Sequence, residues 1–295
     1  FNQIYKWYLM KKFLYSIPVF LLASTLFLLN QAIAGQVCDI FIPGYNAEKY
    51  VENEDYFGRW DKQVYWNSQQ EIPAAAAELA PKILATIDQH CPLGSAVVIR
   101  AHSYGVSVVS YILGKGHRYV GQFPQHEFVK IYRRVFALYS YTGAFHGTSI
   151  MDILCSNGLI NKLAGYFSQA CVLSLTTATN HHPFFYISSV GVPIYLIYST
   201  DRSPYGGVPG MVISKWGISW TQFAIEGKRN QNDSVLPTFS TRGCATTAPL
   251  LNSDSNCLKL DPDYMLDFHW LESTSHNEFL DNPRIMWMKY ETTSP

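Results

Sequence analysis

A serine lies where a run of β-branched residues changes to helical spacing, in the stretch VVIRAHSYGVSVVSYIL. Ser103 has small residues two positions away on either side, Ala101 and Gly105. This spacing is typical of a sharp strand-to-helix turn, because larger side chains at those two positions would have no room. Such a turn lifts the Ser103 Oγ above a sheet and directs backbone N–H groups toward a developing oxyanion. The pattern therefore predicts Ser103 as a nucleophile for acyl transfer; the alternative is an ordinary turn serine.

A serine hydroxyl is a weak nucleophile until a base within hydrogen-bond reach takes its proton, and the base needs a third group to orient it. His276 is the predicted base, because it follows the polar loop ESTS and precedes a helical pattern. Asp233 is the predicted acid, although the segment NDS would also suit an Asx turn. Asp201, which directly follows an apolar strand pattern, is the alternative acid. The alternative bases are His181, His182 and His269, whereas His102 is expected to be a packed or hydrogen-bonded neighbour, because adjacent residues on such a turn point apart.

Apolar strand patterns alternate with helical patterns along the chain. Strands are predicted at 36–46, 95–101, 133–143, 192–201 and 220–227. Helices are predicted at 73–91 with a kink at Pro81, at 105–116 where glycines end the pattern, within 148–190, and at 276–290. Wholly apolar strands between helices are typical of a mostly parallel sheet with helices on both faces. Ligands of such sheets bind at the carboxyl ends of the strands.

The composition is that of an aromatic chain with few charges. Of 295 residues, 48% are hydrophobic, 15% are aromatic and 15% are charged, and the formal net charge is zero. This length suits a single α/β domain with one large core. The absence of a basic patch or charge run argues against a nucleic-acid partner. Low charge with many aromatic side chains favours apolar ligands, although a large core would look similar.

The N-terminal residues have the features of an export signal. Met10-Lys11-Lys12 precedes the apolar run Phe13–Leu29, and Ala32-Ile33-Ala34 offers a cleavage site. We expect residues 1–34 to be upstream sequence and a signal peptide that starts at Met10, and 35–295 to be the mature domain. An uncleaved membrane anchor is the alternative.

All six cysteines follow the expected cleavage site, and an even number in an exported protein predicts disulfides. Six cysteines allow fifteen connectivities, and the sequence does not select one. Sequential pairing is expected, because each pair then closes a local segment of the chain. The expected pairs are Cys38–Cys91, Cys155–Cys171 and Cys244–Cys257.

The segment VVIRAHSYGVS resembles the nucleophile elbow of α/β-hydrolase lipases and esterases, whose usual form is Gly-His-Ser-x-Gly. Ala101 replaces the first glycine. Four other segments resemble lipase segments in the same order. IFIPGYN resembles the oxyanion loop, with Pro43 where lipases usually carry His. SYTGAFHGTSIMDIL resembles the segment that leads into the lid, where His146, Gly147 and Thr148 match. RNQNDSVLPTFST resembles the loop of the triad acid, and TSHNEFLDNP that of the catalytic His.

The resemblance implies an α/β-hydrolase fold and a Ser103, Asp233, His276 triad, which is the chain order expected for that fold. The backbone N–H groups of Tyr104 and Tyr45 would form the oxyanion hole; Tyr104 follows from the elbow itself and Tyr45 from the resemblance. No organic cofactor is expected.

Some bacterial lipases that this chain resembles bind a structural calcium near the His loop. Glu278 and Asp281 are the candidate ligands, and they equally suit a solvated helix start. Residues 148–190 would form a lid that exposes apolar surface to lipid, or else buried helices.

The resemblance thus implies a secreted enzyme acting on carboxylic esters, lipid or smaller, with transient contact to a lipid surface. A thioesterase or acyltransferase would use the same triad. An α/β-hydrolase fold that serves only for binding is the alternative from a different class.

Overall fold

The computed structural model describes residues 37–45, 62–147, 151, 155, 171–175, 191–199 and 265–271. The predicted signal peptide, the strand at 220–227, the helix at 276–290 and the Cys244–Cys257 pair lie outside these residues, as does most of 148–190. Among the residues that are described, no helix combines the length and apolarity needed to cross a bilayer.

Strands and helices alternate along the described chain. Their bounds are β1 Val37–Ile42, α1 Ile72–His90, β2 Ala96–His102, α2 Tyr104–Tyr119, α3 Glu127–Arg134, β3 Val135–Tyr141, a 3₁₀ turn at Leu173–Leu175, β4 Ile194–Ser199 and β5 Met265–Leu271. The sheet order is β1-β2-β3-β4-β5, and each neighbouring pair is parallel. The predicted parallel sheet is therefore confirmed, and the described strands end along one edge.

The register of the strands builds the core in rows. Ile40, Ile99, Leu138 and Ile194 occupy equivalent positions in β1 to β4, and all four are buried. Helix α1 packs into the same core through a stripe of buried residues that recurs at helical spacing. The stripe comprises Ile72, Ala75, Ala76, Leu79, Ala80, Ile83 and Ile87. Pro81, where a kink was expected, lies inside the helix, which continues to His90.

The sequence predicted that helix α2 would end at its glycines, and this prediction was wrong. The helix continues to Tyr119, and Gly116 lies inside it as a buried residue. A Cβ at position 116 would lie 2.4 Å from the Phe128 carbonyl oxygen and 2.8 Å from the Tyr132 Cβ. Gly116 therefore permits close packing of α2 against α3, and this packing outweighs the low helix propensity of glycine.

Helix α3 replaces the first part of the strand predicted at 133–143. Arg133 and Arg134 form the last turn of α3, and β3 begins at Val135. The backbone N–H of Phe128 donates to the His126 Nδ1 at 3.1 Å, so His126 caps the helix. Glu127 in the first turn and the two arginines in the last complement the helix dipole.

Two of the three predicted disulfides are present. Cys38–Cys91 links β1 to the residue that follows α1, across 53 positions of the sequence. Cys155–Cys171 closes a segment of 16 positions. Both confirm the sequential pairing expected for those four cysteines.

An ion pair is buried on the opposite side of the sheet from the Ile40 row. The Arg100 Nε donates to the Asp39 Oδ1 at 2.6 Å, and Nη1 donates to the Tyr141 hydroxyl at 3.0 Å. The guanidinium lies 4.7 Å from the Tyr139 ring centroid, and Tyr139 stacks on Tyr195. Burial alone would lower the pKa of Arg100, but Tyr141 and Asp39 outweigh it and raise that pKa. Arg100 therefore stays charged inside the protein.

Removal of Asp39 should destabilise the fold strongly. The variant Asp39→Ala leaves the Arg100 charge buried without its counterion, and this typically costs about 3–5 kcal/mol in free energy of unfolding. Guanidinium denaturation with the disulfides intact measures the change. The matched control is Asp88→Ala, which removes the exposed 3.4 Å pair with Arg134 and should cost at most about 1 kcal/mol. Equal losses in the two variants would contradict the prediction.

Candidate active site

Ser103 lies at the turn between β2 and α2, as the sequence predicted. Its backbone has φ 53° and ψ −123°, a conformation that non-glycine residues rarely adopt and that costs about 1–3 kcal/mol. Three hydrogen bonds hold this conformation. The Ser103 N–H donates to the Tyr141 carbonyl at 2.9 Å, and the Ser103 carbonyl accepts from the N–H groups of Val106 and Ala144, both at 3.2 Å. The strained turn is thus fixed by β3 and the segment that follows it.

The small residues around Ser103 have a steric cause. A Cβ at Gly105 would lie 2.6 Å from the Pro43 carbonyl oxygen and 2.9 Å from that of Ile42. Ala101 is fully buried within β2. The end of β1 therefore passes so close to the start of α2 that position 105 accepts only glycine, which explains the spacing seen in the sequence.

The Ser103 side chain does not cap α2. Serine is a preferred N-cap residue, because its hydroxyl usually accepts a hydrogen bond from the helix's first turn. Ser103 occupies the N-cap position, yet its side chain makes no capping hydrogen bond. The first turn of α2 also contains no acidic residue, so no carboxylate there neutralises the positive end of the helix dipole. This argues against the alternative of an ordinary turn serine.

The loop after β1 contacts Ser103 directly. A Cβ at Gly44 would lie 2.7 Å from the Ser103 Cβ and 3.0 Å from the His102 carbonyl oxygen. Tyr45, one of the two predicted oxyanion donors, is the next residue along this loop. The structure therefore brings the predicted oxyanion loop against the predicted nucleophile.

Tyr104, the other predicted donor, is the first residue of α2, where a backbone N–H has no acceptor within the helix. Its side chain is fully buried, and its hydroxyl donates to the Gln70 carbonyl at 2.7 Å. Burial is the main cause that raises the pKa of the Tyr104 phenol, so the phenol stays protonated.

The histidines near Ser103 are packed into the structure. His102 is buried, and its Nδ1 lies 3.3 Å from the position of a Cβ on Gly44. His146 is also buried, in the turn that follows β3. Both make contacts with other groups. His269 lies in β5, where its backbone pairs in register with Ile197 of β4.

The other predicted site residues lie outside the residues that the structure describes. They are Asp201, Asp233, His276, His181, His182, Thr148, Glu278 and Asp281. Within the described ranges, no three His, Cys, Asp or Glu side chains are grouped as metal ligands would be. The calcium prediction concerns residues beyond those ranges and stays a prediction.

Two residues of this region were not singled out from the sequence. Thr142 directly follows β3 with φ 46°, an outlier for a β-branched residue, and its buried Oγ1 has no hydrogen-bond partner. Trp66 donates its indole N–H to the Pro43 carbonyl at 3.0 Å. No local pattern marks either residue, because both depend on contacts between distant segments.

Comparison with known proteins identifies the fold. No family model and no curated protein sequence matches the chain. The mature form of the Bacillus licheniformis lipase BlEst2 aligns with a TM-score of 0.55 and 14% identity, over 88% of this chain and 93% of that one. The protein has the α/β-hydrolase fold. A metagenomic carboxyl esterase, MGS0156, aligns with a TM-score of 0.50 and 15% identity, over 88% of this chain and 75% of the esterase.

The α/β-hydrolase fold gives the Ser103 turn its context. In this fold the nucleophile stands on a strained strand-to-helix turn, and one oxyanion donor is the N–H of the next residue. Ser103 lies at a strained strand-to-helix turn of this kind, and Tyr104 is the residue that follows it.

Proposed function

We propose that this protein is an exported serine hydrolase that cleaves carboxylic esters through an acyl-enzyme intermediate. The observation that carries the proposal is the geometry of Ser103, which is strained, makes no helix cap and contacts the loop at Gly44. The lipase and esterase neighbours support ester chemistry at the level of the fold. The two disulfides, which form in oxidising compartments, support export through residues 1–34.

The proposed reaction proceeds in two half-reactions. The Ser103 Oγ attacks the ester carbonyl while His276 takes the hydroxyl proton, and Asp233, or alternatively Asp201, orients the His276 ring. The tetrahedral oxyanion accepts hydrogen bonds from the backbone N–H groups of Tyr45 and Tyr104. His276 then protonates the departing alcohol, which leaves the acyl group on Ser103. Water hydrolyses this acyl-enzyme by the same proton transfers and restores the free hydroxyl.

The proposed substrate is an ester with an acyl chain, either a lipid or a smaller ester. Residues 148–190 are the proposed lid, and the Cys155–Cys171 disulfide lies within them. No cofactor takes part in these steps. A thioesterase or an acyltransferase would share the same intermediate and differ in the group that leaves or in the acceptor.

A fluorophosphonate probe tests the proposal on the natural chain. The probe phosphonylates activated serines, so we expect one covalent adduct, which peptide mass spectrometry should locate at Ser103. Heat-unfolded protein is the control, because unfolding destroys the activation and should abolish labelling. Folded protein that stays unlabelled would favour a fold used only for binding.

The same preparation defines the substrate class. We expect hydrolysis of p-nitrophenyl esters, with the preferred acyl length distinguishing a lipase from a short-chain esterase. Faster turnover of an acyl thioester, or transfer of the acyl group to an added alcohol in preference to water, would instead indicate one of the two related activities.

A further inference from the structure

One indole ring contacts both segments that would supply the oxyanion donors. Trp66 is 2% exposed and is among the largest fully buried side chains of the described residues. Its Nε1 donates to the Pro43 carbonyl at 3.0 Å, in the loop that leads to Tyr45. Its ring centroid lies 5.5 Å from that of Tyr104 at a tilt of 47°. Trp66 therefore lies between the loop after β1 and the start of α2.

The Pro43 carbonyl belongs to the peptide group immediately before Gly44. The Tyr45 N–H belongs to the next peptide group, so only the two backbone torsions of Gly44 separate it from the anchored carbonyl. Glycine restricts those torsions less than any other residue does. The direction of the Tyr45 N–H therefore depends on contacts that hold the peptide groups around Gly44, and the Trp66 hydrogen bond holds the first of these groups.

The backbone before Trp66 is itself attached to β1. The Phe41 N–H donates to the Lys62 carbonyl at 2.7 Å, and the Val64 N–H donates to the Phe41 carbonyl at 3.0 Å. These bonds pair residues 62–64 with the end of β1. They bring the Trp66 ring, two residues further on, to the point where the chain leaves the sheet.

The tight packing on the other side of the loop makes its position critical. A Cβ on Gly105 would lie 2.6 Å from the Pro43 carbonyl oxygen, and one on Gly44 would lie 2.7 Å from the Ser103 Cβ. The carbonyl is thus confined by α2 and held by the indole N–H. Without that hydrogen bond the buried carbonyl would lose a partner, and the loop would move to recover one.

We infer that Trp66 is a positioning residue of the oxyanion hole: its N–H anchors the Pro43 carbonyl so that the Tyr45 N–H points at the oxyanion formed on Ser103. This role rests on the proposed ester hydrolysis and on the two proposed donors. It assigns a kinetic function to a tryptophan that does not contact the reacting atoms. Its ring contact with Tyr104 would keep the Tyr45 and Tyr104 N–H groups in a fixed position relative to each other.

The sharpest test replaces Trp66 by 3-benzothienylalanine, in which sulfur takes the place of the indole N–H and the ring shape is kept. We expect kcat for a p-nitrophenyl ester to fall about 10- to 100-fold, less than the 10²–10³ typical of losing a donor outright. KM should change less than about 3-fold, because the substrate carbonyl oxygen is neutral in the ground state and becomes negatively charged only as the transition state is reached. Trp66→Phe provides a second variant that needs no unnatural residue, and it should lower kcat in the same direction.

An acyl trifluoromethyl ketone gives a readout that a purely structural role would not change. The Ser103 oxygen adds to its carbonyl carbon, the carbon–oxygen π bond becomes an oxyanion, and His276 takes the serine proton. If Trp66 positions the oxyanion hole, the inhibition constant should rise by the same factor as kcat/KM falls. Tyr132→Phe is the matched control: it removes a hydrogen bond of 3.0 Å to His117 between α2 and α3, and it should leave both constants unchanged.

Each outcome separates this role from the proposed function. A natural chain that neither hydrolyses esters nor reacts with a fluorophosphonate overturns the proposed function and this role with it. An active natural chain whose Trp66 variants keep full kcat overturns the role alone. The role is also overturned if activity falls only in proportion to the folded fraction, as measured by circular dichroism, with kcat per folded molecule unchanged.

Discussion

Replacement of Ser103 by alanine is expected to abolish ester hydrolysis, with kcat falling about 10⁶-fold. The variant removes the only atom that forms the acyl bond, while the proposed oxyanion donors are left in place. The residual rate should remain above that of water alone, because these groups still stabilise a direct attack by water. Stopped assays at high enzyme concentration, with the fluorophosphonate adduct as a second readout, measure the loss.

The backbone at position 103 makes this a clean substitution. Alanine meets the same positive φ as serine, and the hydrogen bonds that fix the turn come from backbone groups, not from the Ser103 hydroxyl. Ser110→Ala is the matched control, because Ser110 lies on the same helix with a buried hydroxyl that has no hydrogen-bond partner. The control should keep full activity. If Ser103→Ala retained both turnover and labelling, Ser103 would not be the nucleophile.

The parallel sheet could be predicted because its strands are buried on both faces. Such strands appear in the sequence as mainly apolar runs, and β1 to β4 have that form although Asp39 and Arg100 lie within β1 and β2. The strand β5, which contains Asp267 and His269, was not predicted. Which strands pair, and in what order, depends on contacts that no local window contains.

Two local errors have different causes. Gly116 was expected to help end α2, but close packing against α3, where a side chain at position 116 would collide with the Phe128 carbonyl, outweighs its low helix propensity. Arg133 and Arg134 were assigned to a strand because an apolar strand pattern follows them, whereas arginine is a good helix former and both residues end α3.

Some features of the candidate site could also be predicted from the sequence, and others could not. The turn at Ser103 was predictable, because its steric demands fall on residues two positions away. Arg100 and Trp66 carried no local signal, although one forms a buried ion pair and the other holds the loop after β1. The acid and the base follow from the resemblance and from chain order, so a kinetic test must assign them.

Carboxamide variants should identify the triad acid, because we expect the losses of kcat at Asp233 and at Asp201 to differ by orders of magnitude. Asp233→Asn should lower kcat about 10⁴-fold, because an amide holds the His276 ring in the wrong tautomer without removing the base itself. Asp201→Asn is matched to it in size and charge, and it should lower kcat less than about 10-fold.

His276→Ala sets the upper limit of this series, since it removes the base and should approach the loss seen for Ser103→Ala. Residues that act as one unit do not add, so the double variant Asp233→Asn with His276→Ala should be no slower than His276→Ala alone. That non-additivity requires contact between the two side chains, whereas independent residues would multiply their losses.

If Asp201→Asn instead shows the 10⁴-fold loss and the same non-additivity, Asp201 is the acid. If neither carboxamide lowers kcat, the base works without Asp233 and without Asp201, and the proposed triad is wrong.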